Sequence, residues 1–240
     1  MPTQSQEPVR KIGTLNEGSL HAALKSWYAQ PGDRIETTVD GFVVDILQRR
    51  SLTARHQLVE IQTGNFSSIR QKLRALTANY PVRLVYPIAR NKWLVKLPKE
   101  KGKEPRRRKS PKHGDFENVF EELVSFPTLL SNPNFSVEVL LIHEEEIRHY
   151  DGKRRWRRRG WVTDERRLLE VVDRRLFETP GDIGELLPSG LEEPFTTAGL
   201  ADAISQRRRV AQRMAYCLRK MRVLTPVGKQ GNAILYTRAK

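Results

Sequence analysis

Cysteine is all but missing from this 240-residue chain: Cys217 stands alone. A single thiol excludes an internal disulfide and any cysteine-rich zinc site. Long apolar runs are missing too. No stretch approaches the roughly 18 apolar residues that a membrane-spanning helix needs, so no membrane partner is expected. Residues 1–8 (MPTQSQEP) lack the apolar core of a secretion signal. The expected location is therefore the cytoplasm, extending to the nucleoid. Glycine-rich phosphate loops and a Ser/His/Asp arrangement are also missing. Acidic residues are in short supply: 28 Asp and Glu face 43 Lys and Arg, a net charge of +15. Such a surplus says little about fold but much about partners, and a polyanion is the natural one.

What is present is more specific. Glu17, Asp45, Glu60 and Gln62 stand where apolar residues are expected. Residues 39–47 (VDGFVVDIL) and 58–62 (LVEIQ) otherwise pattern as strands. Side chains alternate along a strand, so Glu60 and Gln62 share one face while Val59 and Ile61 take the other. Glu17 opens a helix whose apolar stripe is Leu20, Leu24 and Trp27. Burying three carboxylates together is very costly unless a cation lies between them. Oxygen ligands in that number suit a divalent ion, Mg²⁺ or Mn²⁺.

The remaining pattern sets the expected organisation. A tail spans 1–14 and a helix spans 16–28, ending at a Pro31-Gly32-Asp33 turn. Strands are expected at 34–47 and 57–62. Phe66, Ile69, Leu73, Leu76 and Tyr80 mark an amphipathic helix, and strands follow at 82–88 and 93–97. Residues 99–112 are a basic, proline-containing loop. A helix at 115–130 and a strand at 136–142 come next. His143 and His149 flank Glu144, Glu145 and Glu146, which fit a solvated acidic corner. A basic stretch at 153–159 lies between Gly152 and Gly160, as at a hairpin tip. Helices at 166–177, 195–204 and 207–221 precede two short strands at 223–227 and 233–237. Three helices and a hairpin are the order of a winged helix-turn-helix. The fold class is thus α/β, a central mixed sheet flanked by helices and followed by a C-terminal winged helix. The divisions are 15–150 for the α/β domain, 151–164 for a basic hairpin or linker, and 165–240 for the winged helix. Cys217 falls among the core positions of the last helix.

The first domain resembles the PD-(D/E)xK nuclease superfamily over residues 15–98. Members carry an acidic residue on the first helix, an Asp near the end of the second strand, and Glu-x-Lys on the third. Glu17, Asp45, and Glu60, Ile61 and Gln62 fall at those positions. Order and spacing are most similar to the resolvase-like branch and some restriction enzymes. The resemblance implies that Asp45 and Glu60 bind Mg²⁺ or Mn²⁺ with the Ile61 carbonyl, while Glu17 holds a second ion or orients a water. Gln62 replaces the usual Lys, so it can orient water but adds no positive charge.

The basic residues would then hold the substrate. Arg106, Arg107, Arg108 and Lys109 lie in the first basic stretch. Arg154, Arg155, Trp156, Arg157, Arg158 and Arg159 form the second, where an indole can stack on a base. Arg207, Arg208, Arg209 and Arg213 open the expected recognition helix, and Lys229 lies at the wing. The expected activity is metal-dependent hydrolysis of DNA phosphodiester bonds. Its rivals are a catalytically inactive nuclease fold serving DNA binding or assembly, and an RNA-processing nuclease. A winged helix used for homodimerisation is the rival to DNA contact.

Overall fold

Leu20, Leu24 and Tyr28 recur every fourth residue and build the buried face of helix α1 (Ser19–Tyr28). Trp27, expected on that stripe, lies outside it and is exposed. The structure, a computed structural model, describes residues 18–49, 56–99, 103–152 and 160–239. The expected single strand at 34–47 is a hairpin, β1 (Arg34–Val39) and β2 (Phe42–Gln48). Asp40 and Gly41 both take positive φ, 47° and 81°, as a two-residue hairpin turn of the type I′ kind requires. β3 (Gln57–Ile61) pairs antiparallel with β2. A 3₁₀ turn at Phe66–Ile69 and helix α2 (Arg70–Leu76) then cross to β4 (Val82–Lys96), which runs parallel to β3.

β4 merges the two strands expected at 82–88 and 93–97. Its register against β6 (Phe135–Tyr150) passes from Ala89 to Asn91 and skips Arg90, so a bulge replaces the expected break. Pro87 is tolerated because β3 ends at Ile61, opposite Val85, leaving no β3 neighbour beside it. Farther along, β5 (Arg106–Lys109) pairs antiparallel with residues 93–96. The basic stretch read as a loop is therefore partly an edge strand. Arg107 and Lys109 lie over the Trp93 ring, at 5.0 and 5.7 Å from its centre, and that contact anchors the strand. The helix expected at 115–130 shrinks to α3 (Phe120–Leu123) between 3₁₀ turns. Pro127 cannot continue it.

The largest departure is β7 (Trp161–Phe177), which takes in the expected helix at 166–177 and pairs with β6 from Val137 to Tyr150. The sheet order is β1-β2-β3-β4-β6-β7, with β5 beside β4. Helices α4 (Pro180–Gly184), α5 (Thr197–Ala203) and α6 (Arg208–Lys220) follow, then a hairpin of β8 (Leu224–Gln230) and β9 (Ala233–Arg238). The fold is α/β, a mixed sheet flanked by helices.

Each face of the sheet has its own cover. α1 packs on Ile46, Val59, Ile61, Val85, Leu140 and Ile142. The opposite face, with Val44, Leu58 and Leu84, shares one apolar cluster with α2, α3 and the C-terminal helices. Met214, Cys217 and Leu218 of α6 are fully buried in it, each apolar side chain contributing about 1.5–3 kcal/mol of transfer free energy. Cys217 is a core residue as expected, and burial raises its thiol pKa to about 12.

Candidate functional site

β2 and β3 pair at Ile46↔Val59, Leu47↔Leu58 and Gln48↔Gln57. One position farther on, the ladder gives way. The Ile61 amide donates to the Asp45 carboxylate (Oδ2, 2.8 Å) rather than to a strand carbonyl. The side chain thus occupies the fork where the two strands part. His21, on the facing turn of α1, reaches the same oxygen (Nε2 to Oδ2, 3.2 Å). Burial pushes the Asp45 pKa up, but His21, the Ile61 amide and the charge of Lys72 outweigh it and hold the carboxylate below its ordinary value.

Glu60 lies on the neighbouring strand and is only 4% exposed. Its Oε2 accepts from Lys72 of α2 at 2.6 Å. Its Oε1 is buried and has no hydrogen-bond partner of normal geometry. Burial, reinforced by the charge of Asp45 and opposed by Lys72 and by the Asp45 backbone amide, which also acts on this carboxylate, pushes the Glu60 pKa up to about 7. Lys72 thus acts on both carboxylates, while its ammonium also donates to the Val43 carbonyl at 2.6 Å.

Among the described residues, no group of three or more His, Cys, Asp or Glu side chains forms a metal cluster. Asp45 and Glu60 carry the donor chemistry of a hard-cation site, but Asp45 bonds α1 on one face of the sheet, Glu60 bonds α2 on the other, and Glu60 does not line the cavity beside Asp45. A buried, unsatisfied carboxylate oxygen is what an oxygen-loving ion would complete. Glu17, the third carboxylate expected, lies outside the described residues. Gln62 is turned away from the water-orienting role: its amide donates to the Gly64 carbonyl and, at 3.4 Å, to that of Asn65. It holds the turn after β3. His21 and Lys72 are the residues that sequence reasoning missed. Their only signal was helical spacing: His21 is four residues after Glu17, and Lys72 precedes the buried Leu73.

A cavity of about 630 Å³ opens beside Asp45. His21, Lys25 and Glu36 line one side, and Thr163, Asp164, Glu165 and Arg166 of β7 the other. Ser19 ties the start of α1 to β7, its hydroxyl donating to the Arg166 carbonyl at 2.7 Å.

The acidic corner expected at 144–146 is not solvated. Glu144 is fully buried between Arg166 (2.6 Å) and Lys92 (2.6 Å). Glu146 takes Arg148 at 2.9 Å and a hydrogen bond from Thr163. β6 is an inner strand, so alternate side chains must face the α1 side of the sheet, and these carboxylates survive there only as ion pairs.

The expected nucleic-acid contacts fall into three groups. Arg106, Arg107, Arg108 and Lys109 are exposed along β5. Arg154, Arg155, Trp156, Arg157, Arg158 and Arg159 lie outside the described residues; on either side of them, the Asp151 amide donates to the Gly160 carbonyl at 3.0 Å. Arg207, Arg208 and Arg209 are exposed at the start of α6, as is Lys229 on β8. Arg213 is partly withdrawn, since its guanidinium donates to the Glu121 carbonyl. The outer face of α6 also carries Gln212, Tyr216, Arg219 and Lys220, all exposed, none of which the sequence reading singled out.

Comparisons with known proteins give one relative over nearly the whole chain and one family match that ends with the sheet. The chain is 32% identical over 226 residues to an uncharacterized protein of Treponema pallidum (strain Nichols), covering 94% of this chain and 86% of that one. No solved structure matches significantly. Residues 18–178 match the Domain of unknown function DUF8091, so the span ends with β7. The chain belongs to the DUF8091 family.

Proposed function

We propose that this protein is a metal-dependent nuclease that hydrolyses phosphodiester bonds in DNA. One observation carries the reading: Asp45 and Glu60 project from adjacent strands at a fork, both under the charge of Lys72, with one carboxylate oxygen left unsatisfied. The element order supports it: a helix, three antiparallel strands, a crossover helix and a parallel strand surround that fork. Asp45 and Glu60 would hold Mg²⁺ or Mn²⁺, with the Ile61 carbonyl as the resemblance implies. A bound ion of this kind lowers the pKa of a water and neutralises charge on the phosphate.

The chain's own residues supply the rest. Lys72 provides the positive charge that Gln62 cannot, held in place by Glu60 and the Val43 carbonyl. His21 fixes the orientation of Asp45. The C-terminal helices and hairpin serve as a winged helix that places α6 against duplex DNA, led by Arg207, Arg208 and Arg209.

The rival is a nuclease fold retained for DNA binding or assembly. The Lys72–Glu60 ion pair favours it, because it balances the carboxylate without a metal. The deciding experiment incubates the purified protein with linear, supercoiled, branched and single-stranded DNA, and with RNA, in Mg²⁺ or Mn²⁺. Cleavage of DNA by the wild type and none by Asp45→Asn supports the reading. No cleavage under any condition leaves the assembly role.

A further inference from the structure

β6 runs past the cover of α1. Leu140 and Ile142 face α1, and alternation continues that face through Glu144, Glu146, Arg148 and Tyr150. Beyond the helix it becomes basic. Lys96 stands opposite Arg148 on one side and Arg106 on the other, and Arg108 follows two positions along β5. Like charges directly opposite one another destabilise a sheet. Arg148 is balanced by Glu146 at 2.9 Å. Among the described residues, Lys96, Lys99, Arg106 and Arg108 have no carboxylate within ion-pair range. Partial burial, then the charges of Arg108, Arg148, Arg106 and Lys99, hold the Lys96 ammonium below its ordinary pKa.

Two rings stand within this cluster. The Lys96 ammonium lies 4.4 Å from the centre of Trp161, and Lys99 lies 3.6 Å from that of Tyr150. The rings meet edge to face at 5.7 Å. Tyr150 is 41% exposed. The surface also leads somewhere: Arg148 pairs across the sheet with Thr163, and Thr163 lines the cavity that holds Asp45.

We propose that this face is a track for single-stranded nucleic acid, with phosphates on Lys96, Arg106 and Arg108 and unpaired bases stacked on Tyr150 and Trp161. Cations without a carboxylate partner among the described residues call for a polyanion, and rings set among them call for one whose bases are open. A duplex hides its base faces and would use the charges alone. The track stands on these residues by themselves; only its destination, the Asp45 cavity, rests on the nuclease reading.

The test uses the full chain in EDTA, so that no strand is cut. Fluorescein-labelled oligo-dT of about 15 nucleotides, near the site size of single-strand binders, is titrated and followed by anisotropy. Tyr150→Leu should weaken oligo-dT binding about tenfold, a typical loss for one stacked base, and leave heparin binding unchanged. Trp161→Leu, checked by thermal melting, should do the same. The pair Arg106→Ala and Arg108→Ala should flatten the salt dependence by about 0.7 per lost phosphate contact. An oligo-rU that binds in place of oligo-dT upholds the track and assigns it to RNA. Equal binding of oligo-dT and a duplex of the same length, unmoved by either ring variant, overturns it as plain electrostatic attraction. A wild type that binds oligo-dT through these residues yet cuts nothing in Mg²⁺ or Mn²⁺ upholds the track and sinks the nuclease. Cleavage lost in Asp45→Asn, with ring variants that bind oligo-dT as wild type, does the reverse.

Discussion

Lys72 Nζ lies 2.6 Å from Glu60 Oε2, and Glu60 is buried beneath it. This pair bridges α2 and β3, so removing one member strands the other. Lys72→Met should destabilise the protein by about 1–3 kcal/mol, the cost of a buried polar group left without its partner, because Glu60, already raised to about 7, then takes up a proton instead of staying charged. The double variant Lys72→Met/Glu60→Gln should recover part of that loss, because no carboxyl is then left to take up a proton. Lys72→Met should also abolish cleavage, whereas Lys72→Arg keeps the charge and should keep some activity. Urea melts of the three variants measure the coupling. A loss below about 1 kcal/mol in Lys72→Met, as for a surface pair, would mean that the contact is ornamental.

A metal held by Asp45 and Glu60 should stabilise the fold by mass action, by about 2.7 kcal/mol at a hundredfold excess over its Kd. Millimolar Mg²⁺ or Mn²⁺ should therefore raise the melting temperature of the wild type and not that of Asp45→Asn or Glu60→Gln. Asp45→Asn should keep its DNA affinity, because it removes negative charge without touching the basic surfaces. A melting curve indifferent to both ions would favour the assembly role.

Glu146, on β6, supplies a separate pH signature. Burial pushes its pKa up, but hydrogen bonds from Arg148 and Thr163 and the charge of Lys92 outweigh it, to about 2 against an ordinary 4.5. A carboxyl depressed in the folded state contributes stability that is fully present above the unfolded value. That contribution is lost as pH falls from about 4.5 towards 2. Glu146→Gln should thus be less stable than wild type at pH 7, and the gap should narrow through that window. Urea melts at pH 7, 4 and 3 read the gap directly; a pH-independent difference would mean that the ion pairs contribute nothing.

The fork was legible in the sequence because Asp45 and Glu60 break apolar runs where nothing local calls for a carboxylate. Lys72 and His21 were not, since each looks like an ordinary polar residue of an amphipathic helix. β7 misled for a physical reason. Its pairing with β6 skips Asp164, Leu169 and Val172. Each skipped residue shifts the alternation by one. Leu168, Leu169, Val172 and Leu176 then acquire the spacing of a helix while lying on a bulged strand. The Asp40-Gly41 turn carried its own signal, but the apolar residues on both sides outweighed it.

The outer face of α6 gives the last prediction. Val210, Met214, Cys217 and Leu218 bury the other side, so Arg208, Arg209, Gln212, Tyr216, Arg219 and Lys220 are left as one exposed basic stripe. Arg213 is held by the Glu121 carbonyl, so it should matter less than sequence position suggests. Replacing Arg208, Arg209 and Arg219 with Ala should weaken duplex binding and reduce the salt dependence by about 0.9 per lost phosphate contact. If any of them reaches a base edge, sequence preference should relax as well, by about 1–3 kcal/mol per bidentate contact. Oligo-dT binding should stay unchanged, because the sheet track lies on different elements. The measurement is a salt titration of wild type and triple variant on two unrelated duplexes and one oligo-dT. Equal slopes on both duplexes would remove α6 from the DNA interface and leave dimerisation as its use, which sedimentation of the same two proteins would register as a change in mass.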